Sequence, residues 1–300
     1  MKKKNRELNL IFSVAEEMVK NNGEDHFYYD IKNNNFIIAA LDGCGGSGSK
    51  KYENYSGKTG AYIASRAVCG GIKSWFCQSH TGTELPQFIH EALSVCTHYA
   101  DKTGRILGTL GKAFPTTAAL ISGSWDADKI SVNCFWAGDS RCYMLNSNGL
   151  HQLTKDDLDD EDAMSNLTND GVMTNVINAS TAFELHSKTL VLKEPCILLT
   201  ATDGCFGYLN SPMEFEYLLV DSLVKSRNVF EWKIALNERM HSIAGDDYTL
   251  CVAGYGFDDF EEIRHVFAKR NETLVKNYIN PSNDVNTLWE AYKKEYSIYL

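Results

Sequence analysis

Short apolar runs rich in β-branched and aromatic residues, each bounded by Gly, Asn or Asp, recur through the first 255 residues. Such runs predict strands, here over Phe27–Ile31, Phe36–Leu41, Ala118–Ser122, Ile130–Ala137, Cys142–Leu145, Cys196–Thr200 and Thr249–Ala253. Lys32-Asn33-Asn34-Asn35 joins the first two, and Ser147-Asn148-Gly149 follows the fifth; both read as tight hairpin turns. A helical period takes over in two segments. Gly60–Trp75 sets Ala64, Val68, Gly71 and Trp75 on one face, and Pro86–Ala100 sets Phe88, Ile89, Ala92, Val95, Cys96 and Tyr99 on another. Both stripes read as core. Hairpins interspersed with helices predict an antiparallel α+β layered domain rather than a parallel sheet.

Four prolines and no low-complexity linker occur before residue 256, so residues 1–256 are expected to form one continuous domain. From Asp258 the period changes. Phe260, Ile263 and Phe267 fit a helix running to about Tyr278 before Pro281 stops it. Val285, Leu288, Trp289 and Tyr292 fit a second. Residues 257–300 are therefore expected as a helical extension packed on the domain, with docking of a protein partner as the lesser use.

The 300 residues carry Lys+Arg 29 against Asp+Glu 39, a net charge of −10. So acidic a surface repels phosphate backbones, which argues against nonspecific binding of nucleic acid or anionic membranes. No stretch reaches the roughly 18 apolar residues of a membrane span. The basic start, MKKKNRELNLIFSVAEEM, has an apolar run broken by Asn9 and Ser13 and no small-residue cleavage site, so it does not read as a signal peptide. Nine cysteines without C-x-x-C spacing read as reduced residues of a cytoplasmic protein.

The acidity is organised. Phe36–Gly43 and Cys196–Gly204 are apolar strands that each end in Asp-Gly, Gly245–Gly254 places Asp246 and Asp247 before a strand, and Glu24-Asp25 precedes Phe27–Ile31. Carboxylates at strand ends can converge on one rim of a sheet. Like charges held within about 4–6 Å oppose each other's ionisation unless a cation compensates. A set made only of oxygens suits a hard divalent ion. Gly43 would let the backbone turn sharply and expose a carbonyl as a further ligand.

In order, the motifs are Glu24-Asp25, Asp42-Gly43-Cys44-Gly45-Gly46, Gly138-Asp139-Ser140-Arg141, Leu153-Thr154-Lys155-Asp156, Thr202-Asp203-Gly204 and Asp246-Asp247-Tyr248-Thr249. This set resembles the metal-dependent protein phosphatases of the PPM (protein phosphatase 2C) type, in a bacterial style. The resemblance implies a four-layer α/β/β/α sandwich of two antiparallel sheets flanked by helices, with two Mg²⁺ or Mn²⁺ ions in a cleft at one end. It further implies that Asp42 bridges the ions, that Gly43 gives its carbonyl to one, and that Asp203 and Asp246 bind the other. Glu24 and Asp25 would hold metal waters. A hydroxide made between the ions would attack phosphorus in line, without a phosphoenzyme.

Four positions depart from the family's pattern. Lys20 stands where an Arg usually clamps the substrate phosphate; it keeps the charge and loses the bidentate fork. Cys44 replaces a His or Met and is expected to pack beneath its loop. Gly207 replaces an Asp that serves a third ion, so a third ion would be weak or absent. Asp247 replaces an Asn. Asp139 is left either to contribute to a weak third ion or to form a structural pair with Arg141 at a strand end, and the acidic run Asp156–Asp162 is expected to form a solvated loop leading into a variable flap through Asn166–Asn178.

The reading that follows is a cytoplasmic Mg²⁺/Mn²⁺-dependent phosphatase of phosphoserine and phosphothreonine on proteins, acting on a phosphoprotein or phosphopeptide through Asp42, Asp203 and Lys20. Its rivals are a regulatory binding module on the same fold and a hydrolase of small phosphoesters.

Overall fold

The computed structural model describes residues 6–78, 81–100, 113–160, 162–168, 171–281 and 284–300. The lysines at positions 2–4, Glu161 of the acidic run, and Asn169 and Asp170 of the predicted flap lie outside the described residues.

Strands β1 (Leu8–Glu16), β2 (His26–Lys32) and β3 (Asn35–Leu41) come first, followed by the short helix α1 (Gly45–Gly48) and the two-residue strands β4 (Lys51–Tyr52) and β5 (Lys58–Thr59). Helices α2 (Gly60–Gln78) and α3 (Leu85–Tyr99) lead to β6 (Ala118–Trp125), β7 (Ile130–Ala137), β8 (Arg141–Asn146) and β9 (Gly149–Gln152). A helical turn α4 (Ser165–Thr168) precedes β10 (His186–Leu192) and β11 (Cys196–Ala201). Helices α5 (Pro212–Lys225) and α6 (Val229–His241), strand β12 (Tyr248–Tyr255), then α7 (Phe260–Leu274) and α8 (Val285–Tyr296) complete the chain.

Two five-stranded sheets form, in the orders β1-β12-β11-β8-β9 and β10-β7-β6-β3-β2. Every pairing in them is antiparallel. The sheets lie face to face around Phe36, Ile38, Ile121, Val132, Leu198 and Ala253. Helices α2 and α3 cover the outer face of the second sheet through Ile63, Val68, Trp75 and Ile89. Helices α5 to α8 cover the outer face of the first through Leu219, Trp232, Phe267 and Tyr292. This is the expected four-layer α/β/β/α sandwich. A middle strand is buried on both faces, so it reads as an unbroken apolar run: in β3, Phe36 and Ile38 point between the sheets while Ile37, Ala39 and Leu41 point at the helices.

The β2–β3 hairpin closes over Asn33, which takes the left-handed conformation at φ 56°. At the β8–β9 turn the Asn146 Oδ1 accepts from the Asn148 and Gly149 amides. Along α3 the core face is Leu85, Ile89 and Leu93. Val95 and Tyr99, expected in that stripe, are 68% and 62% exposed, Val95 lining an open groove between α3 and α2. Helix α7 runs into a π-helical turn at Val275–Ile279 before Pro281. The apolar faces of α7 and α8 (Ile263, Phe267, Leu274, Trp289, Tyr292) are buried against the domain. None of the nine cysteines is disulfide-bonded. Among the described residues no helix is long and apolar enough to cross a membrane.

Candidate active site

Antiparallel register, rather than any single motif, assembles the acidic residues. His26 pairs with Leu41, Ala40 with Ala119, and Ala118 with Ala137 in one sheet. In the other, Ala201 pairs with both Arg141 and Leu250, and Glu16 with Tyr248. The loops holding Glu24-Asp25, Asp42, Asp139, Asp203 and Asp246-Asp247 therefore all leave the sandwich at the same end.

Asp42 is pinned through its carbonyl, which accepts from the Thr117 amide (2.8 Å) and the Thr116 hydroxyl (2.7 Å). Gly43 is required for space rather than for a sharp turn. A Cβ there would fall 2.6 Å from the Ala61 carbonyl oxygen and 2.9 Å from that of Glu24, and its φ is not in the left-handed region. Asp203 opens a short 3₁₀ turn, Asp203–Cys205, directly after β11. The Thr202 hydroxyl donates to Asp25 Oδ2 (2.7 Å) and accepts from the Thr249 amide (2.9 Å), tying three strand ends together. Glu24 accepts from the Thr59 hydroxyl, and its own carbonyl accepts from the Ser65 hydroxyl.

Asp247 does what the motif did not foretell. Its two carboxylate oxygens accept separately, from the Met18 amide (2.8 Å) and the Glu24 amide (2.6 Å). An Asn has one acceptor oxygen, and its NH₂ would face the second N–H. Asp247 thus locks the loop that presents Glu24 and Asp25. Asp247→Asn is expected to weaken Mn²⁺ binding about tenfold, as loss of an orienting partner does elsewhere. Titration calorimetry would register the change.

Burial and mutual repulsion set the protonation of the cluster. Asp42 is raised well above the usual carboxylate range by burial and then by the charges of Asp203, Asp25 and Asp139. Burial, followed by Asp203, pushes Asp25 and Asp139 to about 8. Asp203 rises to about 6 through burial and Asp246, with Arg141 opposing. Burial also raises Glu24. Asp139 Oδ1 is buried without a hydrogen-bond partner.

These shifts bear on stability with a definite sign. Between about pH 4 and pH 8 the metal-free fold keeps protons that the unfolded chain has already released, so stability falls as pH rises through that window. Chelator-treated protein is expected to melt about 5 °C lower at pH 8 than at pH 5. Mn²⁺ should raise the melting point more at pH 8, and scanning calorimetry at the two pH values checks both signs.

Among the described residues, no three acidic, His or Cys side chains are arranged to hold an ion directly. The donor set nevertheless fits hard cations that keep much of their water. Mg²⁺ is typically bound through one or two carboxylates, with waters completing its shell, and a partnerless buried carboxylate oxygen beside several like charges calls for positive charge.

The remaining predicted residues fall elsewhere. Lys20 is exposed on the turn leading to Glu24 and makes no hydrogen bond or ion pair among the described residues. The cations that do touch this loop were not singled out by motif. Lys58 donates to the Asn21 carbonyl, and Arg66, lying over the Tyr62 ring at 3.5 Å, donates to the Glu24 carbonyl (3.5 Å) and pairs with Glu17 (3.8 Å). Cys44 is half-exposed rather than packed beneath its loop, because it sits just ahead of α1 at the cleft.

Arg141 pairs with Asp156, not with Asp139. Three hydrogen bonds of 2.6–3.1 Å join them, with both side chains almost wholly buried. The acidic run is accordingly not a solvated loop. Asp157 accepts from the Gly138 amide and contacts His186 at 2.8 Å, and Asp162 accepts from the Met164 and Ser165 amides at the start of α4. Through side-chain oxygens Asp156, Asp157, Asp159 and Asp162 each accept from a partner outside the run.

A four-layer sandwich with a carboxylate-lined cleft suited to divalent cations defines the class of protein. The sequence profile of protein phosphatase 2C matches residues 17–241, and the chain belongs to that family of protein serine/threonine phosphatases. The catalytic domain of the serine/threonine phosphatase PstP, solved with two manganese ions, superimposes with a TM-score of 0.56 at 16% identity, over 84% of this chain and 100% of that one. Stp1 from Staphylococcus aureus gives 0.57 at 17% identity, over 83% and 96%. The PPM phosphatase MsPP from Mycobacterium smegmatis, in complex with cacodylate, gives 0.57 at 14%, over 82% and 98%. At such identities the likeness establishes the fold. No curated protein sequence matches the chain.

Proposed function

We propose that this chain hydrolyses phosphoserine and phosphothreonine monoesters on proteins, using two divalent cations. The observation that carries the proposal is the convergence of Glu24, Asp25, Asp42, Asp203 and Asp246 on one end of the sandwich, where Asp42, Asp25 and Asp203 resist joint ionisation. A fold keeps such an arrangement at a cost in stability, and a cation site explains it. Asp42, Asp203, Asp246 and the Gly43 carbonyl would hold the ions, with Glu24 and Asp25 orienting water around them. Mg²⁺ or Mn²⁺ bound there supplies activation of water and neutralisation of phosphoryl charge.

The protein's own contribution is order. Asp247 fixes the Glu24-Asp25 loop, Thr202 aims Asp25, and the Asp42 carbonyl is held by Thr116 and Thr117. Lys20, with Lys58 and Arg66, gives one side of the cleft positive charge for the substrate phosphate. With Gly207 in place of a carboxylate, a third ion would lack a ligand. The three carboxylates that a silent binding module could dispense with, Asp42, Asp203 and Asp246, are all present.

The test is release of phosphate from a phosphothreonine peptide with Mn²⁺, with Mg²⁺ and with chelator. Turnover in either metal that chelator abolishes is the expected result. A folded protein that binds Mn²⁺ tightly but turns over neither peptide nor a small aryl phosphate would overturn the enzymatic reading in favour of a binding module. Turnover of the aryl phosphate alone would favour a small-phosphoester substrate.

A further inference from the structure

Helix α8 reaches the neighbourhood of the acidic cleft through two polar side chains on its buried face. The Tyr296 hydroxyl donates to Gln152 Oε1 (2.8 Å), and Gln152 Nε2 donates to Asp156 Oδ1 (3.1 Å), the carboxylate that grips Arg141. About two turns earlier on the same helix, the Trp289 indole N–H donates to both carboxylate oxygens of Asp162 at 3.1 Å. That carboxylate also caps α4 in the flap. Helix α8 is itself held fast, since the Tyr292 hydroxyl donates to the fully buried Glu216 of α5, which Arg270 of α7 also clamps.

Between the two anchored parts lies a cavity of about 260 Å³, beside the carboxylates. Asp139, Arg141 and Asp203 line it from the sheet, and Asn166 and Leu167 line it from the flap. Asn166 Nδ2 also donates to Asp156 Oδ2 at 3.2 Å, so the flap and the Arg141 pair already share one carboxylate. We propose that Trp289 and Tyr296 are positioning residues, through which α8 braces the flap against the Arg141–Asp156 pair and so holds this cavity in the shape that receives the peptide chain flanking the phosphorylated residue. The reasoning rests on the phosphatase reading for the identity of the peptide, though not for the brace itself. Buried hydroxyl and indole groups need partners somewhere. Here each partner in turn grips a wall of the same cavity, Gln152 through Asp156 and Asp162 through the Met164 and Ser165 amides that lead into Asn166 and Leu167, and neither belongs to the helical layer that α8 otherwise packs in.

The test uses the full chain with Trp289→Phe and with Tyr296→Phe, each of which keeps an aromatic side chain and deletes one donor, the former with some loss of volume. Leu274→Ala, which hollows the same helical layer without touching either donor, is the control. Two readouts are compared: amide exchange across residues 156–168, and KM against kcat on a phosphothreonine peptide and on a small aryl phosphate. The brace predicts at least tenfold faster flap exchange in both Phe variants. It also predicts a five- to tenfold higher KM for the peptide, kcat within twofold, and an unchanged KM for the aryl phosphate, with neither readout moved by Leu274→Ala. Wild-type flap exchange and peptide KM in both Phe variants would overturn it, and so would an equal effect of Leu274→Ala. Should the wild-type chain turn over no phosphoester, the exchange comparison still decides for or against the brace, while the phosphatase reading falls separately.

Discussion

Asp203→Asn, and equally Asp42→Asn, is expected to lower turnover of a phosphothreonine peptide about a thousandfold while raising the melting point of the metal-free protein. The two signs have one cause. Asp203 adds to the repulsion on Asp42, Asp25 and Asp139, so a neutral isostere removes an unfavourable charge from the folded state. The same change takes away an anionic ligand from the proposed ion pair. Loss of activity together with a gain in metal-free stability is the mark of a residue retained for function. A variant that lost both would be a structural residue, and one that kept activity would remove Asp203 from the ligand set. Steady-state kinetics at saturating Mn²⁺, beside thermal melts in chelator, separate these cases.

Arg141→Met should produce the largest loss of stability, about 3–5 kcal/mol, because it leaves the Asp156 carboxylate buried and unpaired. That corresponds to about 10 °C in melting temperature for a chain of this size. Arg141 makes its three bonds to Asp156 in near-complete burial, and its guanidinium lies 4.2 Å from the centre of the Phe206 ring. Its charge also opposes the upward shift of Asp203, so the variant should bind Mn²⁺ at higher pH only. Adding Asp156→Leu should restore most of the stability, since a buried ion pair and a well-packed apolar pair are often close in energy. A double-mutant cycle in chemical denaturation reads this directly; additive losses would mean that the pair is not coupled.

The strands most plainly written in the chain are those buried on both faces. Phe36–Leu41 and Cys196–Thr200 are unbroken apolar runs because helices cover one face and the opposing sheet the other. Elements at the margins were harder to read. Strand β1 looked like a failed leader because its apolar run is broken by Asn9 and Ser13, yet it pairs along its length with β12. Strand β10 is an edge strand with alternating half-exposure. Helices α5 and α6 did carry start signals, Ser211-Pro212 with Glu214 and Asn228 with Glu231, and each cap residue accepts the expected amide.

At the site, the carboxylates were legible because each stands at a strand end next to glycine or another acid. Their organisers were not. Thr202 and Asp247 act through hydrogen bonds between residues 177 and 229 positions apart, and Arg141 meets Asp156 rather than its neighbour Asp139 because β8 and β9 pair as a hairpin. Acidity alone suggested a wet loop for residues 156–162; only tertiary partners turn those carboxylates into helix caps and ion pairs.

The place of β12 bears on how the molecule is made. Strands β2, β3, β6, β7 and β10 complete one sheet by residue 192. That half can pair while the ribosome is still at work, since domains made vectorially fold from the amino end. The other sheet cannot. Its strand β1 pairs with the late strand β12, and Met18 reaches Asp247 across 229 residues. Until about residue 255 has emerged, β1 is an unpaired edge and the Glu24-Asp25 loop has no Asp247 to hold it. The acidic centre is therefore assembled only once β12 has emerged, and a product terminated before Asp247 lacks the carboxylate that holds the Glu24-Asp25 loop.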